Sequence, residues 1–173
     1  MAQSTESDAR EREEYAVYSA LITQKFIRPD TTLVVITDPT WPNKQDLDIW
    51  KLKELEPFSQ ETPADFKERN QETMHLKESF TLAIPYRIVN YEKIEKLFPP
   101  GMPEEGWKAF YQSYPKSNGY LTLSRVGFNK DRTEALVNTG WMRGALTGEG
   151  HYFLLSKRNG EWRVERSAAT WMV

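Results

Sequence analysis

Cysteine is absent from the chain, and its absence removes several kinds of chemistry. Without thiols the protein forms no disulfide, has no cysteine nucleophile and holds neither an iron–sulfur cluster nor cysteine-ligated zinc. Histidine is scarce as well, with two residues, and no HxH or HExxH spacing occurs. Because a metal site in such a chain would need histidines and carboxylates at suitable spacing, we predict no metal site and no cofactor.

Long apolar runs and blocks of basic residues are also missing. No segment approaches the roughly 18 apolar residues of a membrane span, so none is predicted. The formal net charge is -2 and the basic residues are dispersed, which argues against binding to nucleic acid or to an anionic membrane. The polar start "MAQSTESDAREREEY" has no apolar core and predicts no signal peptide in this chain. A cytoplasmic protein and a mature exported chain with an added methionine both remain open.

Aromatic residues, by contrast, are abundant, with six Trp, eight Tyr and eight Phe. This content argues against disorder, although 28% of the residues are charged. A chain of 173 residues is also long enough to bury one core. We predict a disordered tail over residues 1–9 and a single α+β domain over residues 10–173.

The first part of the chain predicts helices and a strand. Apolar residues at helical spacing predict a helix over Arg10–Ile27, and the β-branched run Thr31–Thr37 predicts a strand buried on both faces. Phe80–Val89, interrupted by Pro85, predicts an edge or broken strand. Asn90 can cap a further short helix.

The second part predicts a sheet. Four strand-like runs separated by turns are Tyr120–Phe128, Thr133–Trp141, Gly150–Lys157 and Glu161–Met172. We therefore expect an α+β fold in which N-terminal helices and loops pack on a C-terminal four-stranded antiparallel β-meander.

The dipeptide Asn159-Gly160 predicts a two-residue hairpin turn, which fixes the register of the last two strands. In that register Phe153 faces Arg166, His151 faces Ala168 and Glu149 faces Thr170. The face that carries Phe153 and Trp162 is predicted to be the core face, and the face that carries Tyr152 and Leu154 to be mostly polar and solvated.

Ionisable side chains on this core face need either partners or a cavity. One interpretation is a ligand pocket, and its predicted residues are Glu149, His151, Arg166, Thr170, Trp162 and Phe153. Another is a structural ion pair of Arg166 with Glu149. A third is a bulge near Gly148 or Gly150 that turns Glu149 into water.

Two other groups are predicted to be structural. His75 lies in the polar stretch "QETMHLKES" and is predicted to be exposed. Trp107, Phe110, Tyr111 and Tyr114 recur at helical spacing, which favours a core over a ligand site.

Several stretches resemble an uncharacterised group of bacterial, often exported, proteins. They are "GWKAFYQSYPKSNGYLTLSRVGFN", "GEGHYFLLSKRNGEWRV" and a terminal tryptophan, and "DFKERN" and "EYAVYSALI" also fit. The resemblance implies a mature periplasmic or secreted form and no known activity. Some relatives carry a cysteine pair where this chain has Arg143 and Thr147, so a role for that pair does not carry over.

More distantly, helices followed by a curled sheet ending in "NGEWRV" resemble the ketosteroid-isomerase-like cone fold. That fold binds small molecules in its cone and sometimes catalyses proton transfer. The early strand "TTLVVIT" departs from it, and a fold does not fix a function.

Two functions are therefore weighed. The lack of a recognisable catalytic constellation favours a soluble, non-catalytic binding protein, a monomer or weak homo-oligomer, whose partner is a small molecule or a protein. The alternative is a small cone-fold enzyme with Glu149 or His151 as general acid/base and Arg166 holding an anion. The alternative requires these three side chains to face one cavity.

Overall fold

A mixed β-sheet with helices on both faces organises the computed structural model, which describes residues 2–41 and 49–173. Its strands are β1 (Leu33–Asp38), β2 (Tyr86–Asn90), β3 (Ser117–Leu123), β4 (Gly127–Phe128), β5 (Glu134–Gly144), β6 (Thr147–Arg158) and β7 (Glu161–Met172). The helices are α1 (Ala2–Lys25), α2 (Ile49–Lys53), α3 (Glu61–Arg69), α4 (Tyr91–Glu95) and α5 (Pro103–Ser113). The strand order is β2-β1-β3-β5-β6-β7, and β4 pairs with β5.

The α+β class is confirmed, but the sheet has seven strands and is mixed, whereas a four-stranded antiparallel meander was predicted. Strands β3, β5, β6 and β7 do form an antiparallel meander. The sheet then continues through β1, which is parallel to both β2 and β3. The "LVVITD" strand is buried at its four central positions because it lies between two other strands. Its partners lie far along the chain, where sequence periodicity cannot locate them.

Helix α1 covers one face of the sheet with the apolar stripe that the sequence predicted. Tyr15, Tyr18, Ile22 and Phe26 are buried there in one core with alternate residues of the central strands. The helix begins at Ala2 rather than at Arg10. Residues 2–9, for which a disordered tail was predicted, thus belong to the helix, and this stretch contains neither Gly nor Pro to stop it.

The other face of the sheet is buried too, which corrects the prediction of a polar, solvated face. Tyr152 and Leu154 pack beneath α2 and α3 against Leu52, Leu55 and Phe66. A third apolar cluster lies under α4 and α5. Near the hairpin turn this face carries polar residues such as Arg163. Because of them the whole face was predicted to be polar, although Tyr152 and Leu154 lie further along the same face.

The β6–β7 hairpin has the predicted turn, with φ of 52° at Asn159 and 81° at Gly160. The predicted register is correct from the turn to Leu155–Val164. Beyond that point β7 carries an extra residue between Val164 and Arg166, and another between Ala169 and Trp171. Arg166 therefore faces Leu154, not Phe153, and Met172 rather than Thr170 faces Glu149. Bulges of this kind leave no clear pattern in a single sequence.

No helix in the described part of the chain is long and apolar enough to span a bilayer.

Candidate functional site

Glu149 and His151 lie on the same sheet face as Phe153, as predicted, but they form a compact ion-paired cluster. Arg143 Nη2 donates to Glu149 Oε1 at 3.1 Å, and His151 Nδ1 lies 3.9 Å from Glu149 Oε2. The Arg143 guanidinium also lies over the Trp141 ring, 4.1 Å from its centre. The ion pair of Arg166 with Glu149 considered from the sequence is therefore not formed, and Arg143 is the partner of Glu149 instead.

The other predicted site residues lie elsewhere. Because of the bulge, Arg166 points to the α2–α3 side and donates to the backbone oxygens of Leu55 and Pro57. Thr170 sits at the second bulge, and its hydroxyl is buried without a hydrogen-bond partner. Trp162 donates to Glu13 near the hairpin turn. The structure thus brings Glu149, His151 and Phe153 together and separates them from Arg166, so the cone-type catalytic arrangement is not assembled.

The glycines around Glu149 have a packing role. The indole ring of Trp171 lies on the backbone of β6 and β5, where any side chain at Gly150 would overlap it. Gly148 and Gly140 provide room for the same ring, and Met142 also reaches over Gly148. "GEG" is therefore part of a strand in which glycine permits a close approach of an aromatic ring.

His75 is exposed, as predicted, with 81% of its side chain accessible and its Nδ1 3.0 Å from Asp38 Oδ2. No group of three His, Asp or Glu side chains within residues 2–41 and 49–173 is arranged to hold a metal ion.

An aromatic cavity of about 390 Å³ lies between the α4–α5 layer and the sheet. We call it the aromatic cavity, and its lining residues are Tyr91, Ile94, Glu95, Phe98, Pro103, Trp107, Tyr120, Met142, Gly144 and Ala145. Its volume lies in the range of small-molecule sites, and its walls are mainly apolar, as is typical of them.

Local sequence explains how α4 places two residues in this cavity. The Asn90 side chain accepts from the Glu92 backbone N–H at 2.9 Å and so caps the helix, as predicted. Tyr91 and Glu95 are then four residues apart on one side of α4. On the opposite wall, the Trp107 ring of α5 stacks on Tyr120 of β3, with ring centres 5.7 Å apart and planes 13° apart.

Tyr91, Tyr120 and Glu95 supply polar groups to the lining of the aromatic cavity. The rings of Tyr91 and Tyr120 are in contact, with their centres 6.5 Å apart and their planes at 69°. Burial raises the pKa of Tyr120 far above its usual value, and its interactions with Tyr91 and the charge of Glu95 raise it further. Burial and Glu95 also raise the pKa of Tyr91. Both hydroxyls are therefore neutral at physiological pH and available as hydrogen-bonding groups.

A larger groove of about 820 Å³ runs along the exposed side of α1. Charged residues are frequent in it, and one pair, Glu11 and Lys77, closes across it at 2.6 Å. Trp162 is the predicted site residue that lines this groove. This groove differs from the aromatic cavity in the charge of its walls, because the described lining of the aromatic cavity contains one charged residue, Glu95.

Comparison of the chain with family models, with curated proteins and with solved structures gives no match. The resemblances proposed from the sequence therefore stay predictions.

The aromatic cavity was missed from the sequence because its walls come from four separate elements. Trp107, Phe110, Tyr111 and Tyr114 were predicted to be core, and Phe110 is indeed fully buried. Trp107 belongs to the same apolar cluster and also lines the cavity. The Asn90 cap was visible, but nothing in the sequence indicated that Tyr91 and Tyr120 meet.

Proposed function

We propose that this protein binds a small organic ligand in the aromatic cavity and does not transform it. The observation that carries this proposal is the cavity itself, an open hollow lined by four aromatic rings, two of which carry hydroxyl groups. Few polar groups in an apolar enclosure are what orient a ligand and make its binding selective.

The chemistry of the lining supports binding rather than catalysis. The pKa values of Tyr91 and Tyr120 are raised, chiefly by burial, so neither hydroxyl is suited to act as a base at neutral pH. Among the described residues that line the cavity, none is a serine, threonine, lysine or histidine, so the one carboxylate, Glu95, has no such nucleophile beside it to activate.

The β5–β6 turn offers a matched pair of variants to test this proposal. Ala145 lines the cavity, whereas its neighbour Leu146 is 84% exposed. We expect Ala145→Trp to fill the cavity without disturbing the buried core. Leu146→Trp places the same side chain in solvent and serves as the control.

The measurement is a thermal-shift screen of a metabolite library against the wild type and both variants. We expect compounds that raise the melting temperature of the wild type and of Leu146→Trp but not that of Ala145→Trp. Equal stabilisation of all three proteins would place the ligand site elsewhere. If no compound stabilises the wild type, the proposal is wrong and a macromolecular partner becomes the next hypothesis.

A further inference from the structure

Within residues 2–41 and 49–173, the lining of the aromatic cavity carries negative but no positive charge. Among its described residues Glu95 carries the one formal charge, and neither lysine nor arginine contributes to the walls. The charge of Glu95 acts on both tyrosine hydroxyls, since it contributes to the raised pKa of each. Glu95 is exposed, so water screens part of its charge, and the remaining interaction favours a cation over an anion beside this wall of the cavity.

The rings of the cavity act in the same direction as Glu95. Four aromatic residues line it together with Met142: Tyr91, Phe98, Trp107 and Tyr120. Phe98 meets Trp107 at 82°, and Tyr91 meets Tyr120 at 69°, so neighbouring rings form corners rather than one flat wall. Aromatic faces attract cations through their quadrupoles, and the attraction strengthens when the cation leaves water.

We infer that the aromatic cavity takes an organic cation whose alkylated ammonium group lies among the aromatic rings and beside the Glu95 carboxylate. An alkylated ammonium suits this enclosure because its methyl groups pack against rings while its charge needs few hydrogen bonds. A primary ammonium is less suitable, since it would lose strong hydration and find few acceptors in these walls. The inference rests on the proposed function, because it names the ligand class of the same cavity.

Isothermal calorimetry with three probes tests the inference: tetramethylammonium, choline and the uncharged isostere of choline in which carbon replaces nitrogen. The isostere keeps the shape and the hydroxyl of choline and removes its charge alone. We expect choline to bind the wild type at least about tenfold more tightly than the isostere does.

Variants in α4 separate the charge of Glu95 from general effects on the helix. We expect Glu95→Gln to weaken choline binding about two- to fivefold, as befits an exposed charge, and to leave the isostere unchanged. Glu92 is exposed like Glu95 but lies outside the lining, so Glu92→Gln removes the same charge and should change neither. Tyr91→Leu removes a ring from a half-buried position and should weaken choline more than the isostere.

The outcomes distinguish this inference from the proposal on which it rests. If choline and the isostere bind with equal affinity and Ala145→Trp binds neither, the preference for a cation is refuted. The proposal that the cavity binds a ligand would then still stand. If neither tetramethylammonium nor choline binds at millimolar concentration, the inference that the cavity takes an organic cation is also refuted. If the library screen is negative as well, the proposed function fails together with it.

Discussion

Glu14 offers the sharpest test of how α1 is held on the sheet. Its carboxylate is completely buried and accepts hydrogen bonds from Arg125 Nε at 2.8 Å, Arg125 Nη2 at 3.1 Å, the Val126 backbone N–H at 2.9 Å and the Tyr18 hydroxyl at 3.1 Å. The Arg125 side chain is 19% exposed, so water reaches part of the pair. A buried carboxylate of this kind is tolerated because each of its oxygens has donors.

Removing the carboxylate leaves Arg125 without its counter-ion and the Val126 backbone N–H without an acceptor. The Tyr18 hydroxyl, by contrast, keeps the Ser124 backbone oxygen at 2.7 Å. Loss of one partner of a buried ion pair costs about 3–5 kcal/mol, and we expect Glu14→Ala to lower the free energy of unfolding by about 4 kcal/mol. Glu14→Gln retains one acceptor oxygen, and its expected cost is about 2 kcal/mol. These losses are large for a domain whose total stability is typically about 5–15 kcal/mol.

Urea unfolding followed by circular dichroism measures both losses. The control is Glu11→Gln on the same helix, which breaks an exposed pair with Lys77 and should change the unfolding midpoint little. The double variant Glu14→Leu with Arg125→Met should be more stable than the sum of the single changes predicts, because no unpaired charge remains. A Glu14→Ala protein as stable as Glu11→Gln would refute the argument that this buried pair anchors α1.

Two further predictions concern the packing of Trp171 and the buried tyrosines. We expect Gly150→Ala to destabilise the protein by about 1–3 kcal/mol, since its methyl group overlaps the Trp171 ring. This loss of stability should be smaller when Trp171 is also replaced by Ala. Urea unfolding of the wild type, the two single variants and the double variant measures it. An equal loss with and without Trp171 would show that the overlap is not the cause. The second prediction is that stability changes little between about pH 8 and about pH 10 and then declines. Burial raises the pKa of Tyr18 and Tyr120, so the unfolded chain loses these protons first and unfolding is favoured between the unfolded and folded pKa values. Unfolding midpoints from about pH 8 to 11 should decline less steeply for Tyr120→Phe, and an identical decline would contradict this account.

Sequence patterns predicted those elements whose determinants are local. The apolar stripe of α1, the Asn90 cap and the Asn159-Gly160 turn each depend on residues within a few positions of one another, and all three are confirmed. The strand character of "TTLVVIT" was also evident. Its position between β2 and β3 was not, because the partners of a parallel strand lie far away in sequence.

The candidate site depended on long-range features and was therefore predicted less well. The parity argument placed Glu149 and His151 correctly on the α1 face of the sheet. One extra residue in β7 before Arg166 then moved that side chain to the opposite face of the sheet. A single inserted residue exchanges the two faces for the side chains that follow it. The aromatic cavity depends on contacts between separate elements, such as Tyr91 with Tyr120, and no pattern within either element contains that information.

The placement of β1 also has a consequence for the order in which the protein folds. Strands β3 to β7 follow one another closely along the chain, so their hairpins can pair after short loop closures. Val35 of β1 instead pairs with Tyr120, about half the chain away, and it belongs to the same apolar cluster as Phe110 of α5. Strand β2 pairs with β1 and leads directly into α4, so the α4 wall of the aromatic cavity is in place only after the distant strand β1 has docked. A bound ligand would stabilise this late, long-range part of the fold more directly than the hairpins that form before it.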